Sequence, residues 1–215
     1  NIDRLIIQSG AWITGWQDHC SLAQWIVHHQ PQARIMDLTW ASLTGWREAL
    51  AQFFDAQEGA ALLQGIDRIE FQTTPAGFSP AAGWLLAWLA TVLQWRLRVH
   101  AQPDYTGPAG SICTSFAFPK AKVGQTGLVS VTLFTQCGGK TVRLQARRIN
   151  SLEIECRRSD EEVVILQIPQ RTESELLVQE LDVAQEDELF IRTSRLLAQA
   201  EPVQEPPAAP NAGGA

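Results

Sequence analysis

The sequence predicts an α/β fold: a βαβ-type layered half followed by an antiparallel β-meander and C-terminal helices. Three observations carry that prediction. Strand-length apolar runs alternate with helical patterns over residues 1–102. Four short runs with brief connections then fill 128–168, and two acidic helical stretches close the pattern. Strands alternating with helices imply crossover units and a largely parallel sheet with helices packed on it.

Arg4 to Ser9 reads as a short buried strand, and Asp18 to His29 as a helix with Leu22, Trp25 and Ile26 on one side. Ala33 to Leu38 is a second strand and Thr44 to Phe54 a second helix. Ile66, Ile69 and Phe71 interleave with charges, which makes Ile66 to Gln72 a third strand. Pro80 to Trp95 is a strong helix, its proline placed in the first turn where the missing N–H costs nothing. Arg96 to Ala101 follows as a fourth strand. Pro103, Gly107, Pro108, Gly110 and Pro119 then mark 103–124 as a long ordered loop. Leu128–Gln136, Thr141–Arg148, Leu152–Arg158 and Val163–Ile168 read as antiparallel strands, with Cys137-Gly138-Gly139-Lys140 as a hairpin turn. Glu173–Val183 and Glu186–Ala200 are the acidic helices.

The expected organisation is an α/β half at 1–102, then loop, strands and helices over 103–200 packed with it as one unit. The segment 201–215 is expected to be a disordered tail, because its Pro, Ala and Gly residues show no apolar periodicity. The chain opens on Asn1 without the charge and cleavage pattern of a signal peptide, so it is expected to be part of a longer cytoplasmic protein.

At 215 residues and 23.8 kDa the chain can bury a sizeable core. No apolar run approaches the roughly 18 residues of a membrane span, so no membrane association is expected. A pI of 5.2 and a net charge of −6 argue against nucleic acid as a partner. The charge is uneven: residues 1–150 balance to +3 and residues 151–215 to −9, which reads as a solvated acidic face.

The motifs that could carry chemistry are weak. Gly138-Gly139-Lys140-Thr141 ends like a phosphate-binding loop, but Phe134 stands where that motif needs glycine and strands lie on both sides. Asp18-His19-Cys20 holds the side chains of a thiol triad, yet adjacent residues on a helix diverge, and His28-His29 fails as a metal pair for the same reason. His100 reads as a packed or exposed strand residue. No catalytic residue, resident cofactor or metal site is expected. Cys20, Cys113, Cys137 and Cys156 form no C-x-x-C pair, which leaves them reduced thiols in an intracellular setting.

The tryptophans say more. Trp84, Trp88 and Trp95 fall within about 40° of one another on a helical wheel, with Leu85, Leu89 and Val92 alongside and Leu86 and Leu93 opposite. A helix apolar nearly all round is buried on every side, or turns one face to another domain or subunit. In the second helix Thr44 suits an N-cap, while Leu50, Phe53 and Phe54 supply the buried face. Arg47 near a helix start opposes the macrodipole and calls for a carboxylate or phosphate partner, Asp37 among the candidates.

The run Asp37-Leu38-Thr39-Trp40-Ala41-Ser42-Leu43-Thr44-Gly45-Trp46-Arg47-Glu48, continued by Leu50-Ala51-Gln52-Phe53-Phe54-Asp55, resembles the signature of the OpcA family of glucose-6-phosphate dehydrogenase assembly proteins. Gly83-Trp84-Leu85-Leu86-Ala87-Trp88-Leu89-Ala90, with Leu93 and Trp95, resembles the family's second signature helix. The similarity covers most of residues 1–200 and corresponds to the family's C-terminal half. The family often has Arg where this chain has Ser42 and Pro where it has Gly45. Gly45 is less preorganised for a helix start than Pro, and Ser42 brings no cation for an anionic contact.

The resemblance implies a non-catalytic activator that binds the glucose-6-phosphate dehydrogenase oligomer, promoting entry into the oxidative pentose phosphate pathway, with NADP belonging to the dehydrogenase. It implies a partner-binding surface on Asp37, Trp40, Leu43, Trp46, Arg47, Trp84 and Trp88. In photosynthetic members activation is tied to thiol redox state through thioredoxin, which makes the four cysteines redox candidates, with Cys137 and Cys156 as the pair. The competing reading is an α/β enzyme domain that binds a sugar phosphate or nucleotide through the 103–124 loop.

Overall fold

The computed structural model describes residues 3–55, 59–98, 104–119, 127–159, 161, 163–182 and 185–200. His100 and the segment 201–215 lie outside them, as do residues 103 and 120–124 of the expected long loop. The fold is mixed α/β, with helices layered on a large mixed sheet and two helices at the C-terminal end.

β1 (Arg4–Ile7) runs parallel to β2 (Arg34–Asp37), Ile7 opposite Asp37, and α1 (Trp16–His29) connects them. This pair is a sheet of its own. After β2 the chain forms α2 (Leu38–Ser42), α3 (Thr44–Ala51), a single 3-10 turn at Gln52–Phe54 and α4 (Gly59–Gln64). β3 (Ile66–Thr74) enters the second sheet, and α5 (Pro80–Val92) leads to β4 (Arg96–Arg98), β5 (Asp104–Gly107) and β6 (Gly110–Ala117). The meander is β7 (Gly127–Cys137), β8 (Lys140–Arg148), β9 (Glu153–Arg158) and β10 (Val164–Gln167). α6 (Glu173–Asp182) and α7 (Glu188–Ala198) complete the fold.

The large sheet has eight strands in the order β10-β9-β8-β7-β3-β6-β5-β4. Among the described residues only β3 and β6 pair in parallel within it, so the largely parallel sheet expected from the first half is not what forms. The reason is visible in β3. Ile66, Ile69 and Phe71 are buried while Asp67, Arg68, Glu70 and Gln72 are not, the one-sided pattern of a strand in a half-solvated sheet. A strand between two helical layers would be apolar on both faces.

The expected 103–124 loop is, over 104–117, the β5–β6 hairpin. Gly107 pairs with Gly110, and Pro108-Ala109 make the turn between them. Gly110 takes a φ of +111°, which explains the glycine there. Gly107, Pro108 and Gly110, three of the residues that suggested a long loop, mark a tight turn. Gly138 and Gly139 likewise have φ of +58° and +76°, as a two-residue hairpin requires, and Cys137 pairs with Lys140 across them.

One face of the sheet carries the core. Ile69, Phe71, Val131, Leu133, Leu144 and Ile154 meet the helical layer in one continuous apolar cluster. α5 sits inside that layer, and every residue from Ala82 to Ala90 is buried. Ser79 caps its start, accepting from the Ala82 N–H at 3.3 Å. The opposite face is charged: Arg68, Glu70, Arg143 and Arg147 line it, and Arg147 pairs with Glu155 at 3.1 Å.

Candidate functional site

The first signature begins at the carboxyl end of β2, where a buried acid organises the chain. Asp37 Oδ1 accepts from the backbone N–H of Thr39 at 2.9 Å and of Ser9 at 3.2 Å, and so caps α2 while fixing the turn after β1. Its Oδ2 accepts from Trp84 Nε1 at 2.9 Å, which ties α5 to the same point. Burial pushes this carboxyl up, and the bonds from Ser9, Thr39 and Trp84 hold it down. The Thr39 hydroxyl accepts from the Gly10 N–H and donates to Gln8, both at 2.7 Å.

Trp40 extends the cluster to the C-terminal helices. Its Nε1 donates to Asp187 Oδ2 at 2.7 Å, and Asp187 Oδ1 caps α7 by accepting from the Phe190 N–H at 3.0 Å. Trp40 meets Trp84 edge to face at 5.9 Å, and Phe190 touches both rings at 5.4 and 5.3 Å. One buried cluster therefore joins β1, β2, α2, α5 and α7.

Arg47 does not reach Asp37. Its guanidinium lies 4.3 Å over the Trp40 ring and donates to the Trp40 carbonyl at 3.2 Å and to Thr44 Oγ1 at 2.9 Å. Burial lowers its pKa, countered by the charges of Asp187, Glu48 and Glu180. Thr44 is not the N-cap expected of it. Its hydroxyl donates to the Ala41 carbonyl at 2.9 Å, and Leu43 stands at the cap position with no side-chain bond. The cause is α2, which the sequence pattern does not separate from the strand before it: α2 and α3 run almost end to end, leaving no extended residue for a cap.

A family model described as the C-terminal domain of the glucose-6-phosphate dehydrogenase subunit matches residues 33–194. The chain belongs to this family. No curated protein matches it. The match starts just before β2 and ends within α7, so it spans the OpcA signature, the Trp helix, the meander and the cap that Asp187 provides.

The OpcA signature residues fall into two sets. Trp40, Leu43, Trp46 and Trp84 are 3%, 1%, 5% and 0% exposed, Asp37 is 2% exposed and Trp88 9%. These are interior side chains, and a partner cannot touch them while the chain is folded as described. Around them lies a rim. Ser42 and Glu48 are exposed, and Thr44, Gly45 and Arg47 are half-buried. The rim opens on a cleft of about 230 Å³ that Arg148, Pro169 and Arg171 also line. Ser42 thus stands in a cleft with two arginines, Arg148 and Arg171. Sequence reading missed Arg148 and Arg171, because nothing local in a strand or a connector marks them as neighbours of a distant helix.

The triad-like run on α1 disperses as helical geometry demands. Asp18 accepts from Thr14, while His19 is fully buried among Trp16, Phe78 and Trp84, its ring 4.5 Å from that of Trp84. Neither ring nitrogen has a partner among the described residues, and desolvation lowers its pKa to about 3, so the ring is neutral. Among the described residues no group of three or more His, Cys, Asp or Glu side chains could hold a metal ion, and no helix is long and apolar enough to cross a membrane.

The four cysteines are free thiols. Cys113 is exposed, Cys20 and Cys137 half-buried, and Cys156 buried with its Sγ against the Ala49 carbonyl. Burial raises both Cys20 and Cys156 to about 11, which keeps them protonated and poorly nucleophilic. The register corrects the expected Cys137–Cys156 pair. Cys137 lies opposite Lys140 and Cys156 opposite Ala146, six positions further along β8, or about 20 Å at the usual rise per residue. A disulfide needs Cα atoms within about 7 Å.

Proposed function

We propose that this chain is a non-catalytic assembly factor and allosteric activator of glucose-6-phosphate dehydrogenase, acting in the cytoplasm on the oxidative pentose phosphate pathway. The family match over residues 33–194 is the observation that carries the reading. It is supported by the site itself: a packed aromatic cluster whose polar groups are spent on one another and on backbone. Such a cluster is a rigid support for the rim around it rather than a reaction centre. NADP and glucose 6-phosphate belong to the dehydrogenase, and neither nucleic acid nor membrane is a partner.

The contact surface we assign is the rim of the first signature: Ser42, Thr44, Gly45, Arg47 and Glu48 with the adjoining cleft. An activator must bind the active conformation of its target better than the inactive one, and the usual coupling is about 1–3 kcal/mol. Any thiol control through thioredoxin rests on exposed Cys113 and half-buried Cys137, as single thiols exchanging with an external disulfide.

The test is the dehydrogenase rate at sub-saturating glucose 6-phosphate, titrated with this chain. A saturable rise, with the effect fading as substrate saturates, is the expected result. A flat titration, or a thermal shift of this chain with glucose 6-phosphate alone, would instead favour a ligand-binding domain.

A further inference from the structure

The two C-terminal helices turn their apolar faces opposite ways. In α7, Phe190, Ile191 and Leu197 are buried in the main core. α6 buries one side chain, Leu176, in a small separate cluster with Leu38 and Ala41 of α2 and Ile6 of β1. Its wider apolar stripe faces water: Leu177 is 39% exposed, Val178 61% and Leu181 51%. These three lie roughly 100–200° round the helix from Leu176, on the side away from the body. An amphipathic helix spends its wider stripe on the core, so packing does not account for this one.

Charge is laid out along the same stripe. Glu173 and Glu180 fall on one flank, Glu175 and Asp182 on the other, and α6 carries no basic residue. The helix supplies its own start through a reciprocal capping box. The Thr172 N–H donates to Glu175 Oε2 at 2.7 Å, and the Glu175 N–H to Thr172 Oγ1 at 3.3 Å. Arg4 donates to the Leu181 carbonyl at 2.6 Å and Gln8 to Glu173 Oε1 at 2.9 Å, which holds α6 in place without covering the stripe. α6 also adjoins the rim, since Arg171 just before it and Leu176 within it line the same cleft.

We propose that the outer stripe of α6 is a second contact with glucose-6-phosphate dehydrogenase, seated in an apolar groove of that enzyme whose two sides carry lysine or arginine. The inference rests on the dehydrogenase reading and extends its surface from the rim across α6. Leu181 stands four residues from Leu177 and three from Val178, the anchor spacing of a helix laid into a groove. The carboxylates on both flanks select a groove with basic sides. They also select against the α6 of a second copy, because two acidic rows brought together repel.

The test is binding of the full chain to the purified dehydrogenase by biolayer interferometry, with the thermal midpoint of every variant measured beside it. Val178→Glu should weaken binding about tenfold or more with its midpoint unchanged, because the side chain stands in water. Asp182→Lys should weaken binding about three- to tenfold, yet hold or raise the midpoint, since a cation suits the last turn of a helix. Glu70→Lys makes the same change of charge on the open face of the sheet and should leave affinity within about twofold. Unchanged binding of Val178→Glu overturns the proposal. Equal weakening by Glu70→Lys and Asp182→Lys also overturns it, because net charge would then explain both. A wild-type chain that does not bind the enzyme removes the dehydrogenase reading and this one together. Wild-type binding that the α6 variants leave untouched removes this one and leaves the rim standing.

Discussion

The signature cluster and the β9–β10 end of the sheet are built in opposite ways. In the cluster, Asp37 serves two backbone donors and an indole, Asp187 serves an indole and a helix start, and three aromatic rings close over them. At the far end, β10 has a single strand neighbour among the described residues, and its Val164 and Ile165 stand half in water. The difference teaches that the residues by which the family is recognised are those that hold this chain together. The partner contact we propose therefore falls on what surrounds them, the rim of α3.

Substitution inside the cluster should have the largest effect. Trp84→Ala removes a fully buried ring and the indole bond to Asp37, and should cost about 3–5 kcal/mol, read as a lower urea midpoint by circular dichroism. A cost under about 1 kcal/mol would break the contrast, because the ring would then be dispensable to the fold.

The acid limb of stability should come next. The His19 pKa is about 3 in the folded chain against an ordinary value of 6.5, so folding releases its proton between those pH values. Stability should therefore fall as pH falls from about 6.5 towards 3, with a slope of about 1.4 kcal/mol per pH unit from this group. His19→Leu should abolish that share of the slope while leaving the neutral-pH midpoint equal or higher, since the ring's nitrogens have no partners to lose. Urea melts at several pH values check both.

Smaller effects sharpen the boundary between cluster and rim. A Cβ on Gly45 would run into the Ile168 side chain, so Gly45→Ala should destabilise by about 1–3 kcal/mol as α3 is pushed off the end of β10. Asp187→Ala removes the α7 cap and the Trp40 partner, and should cost about 2 kcal/mol in the same melts. Glu48→Arg, on the exposed rim, should change stability by less than about 0.5 kcal/mol.

Much of the fold was legible in the sequence. Hydrophobic periodicity places α5, the glycine pair places the β7–β8 turn, and the meander strands fall within a residue or two of their expected bounds. What escaped was pairing. Nothing local told β3 that its neighbours would be β6 and β7, although its one-sided burial is the mark of a half-solvated sheet. The β5–β6 hairpin hid because a tight turn and a long loop use the same Gly and Pro residues. The site was half legible. Tryptophan spacing marks the cluster, but exposure is a tertiary property, so Trp40, Leu43 and Trp46 read as surface candidates when they are core. Asp187 was invisible because it meets Trp40 from 147 residues away.

The rim, and not the aromatic cluster, is the surface we assign to the dehydrogenase. The most direct test compares Glu48→Arg with the wild-type chain in the sub-saturating glucose 6-phosphate titration, at equal concentrations of protein whose melting has been matched. Activation should be lost or need several-fold more of the variant, with its thermal midpoint unchanged. An activation curve that superimposes on wild type would contradict that assignment and move the contact surface elsewhere on the chain.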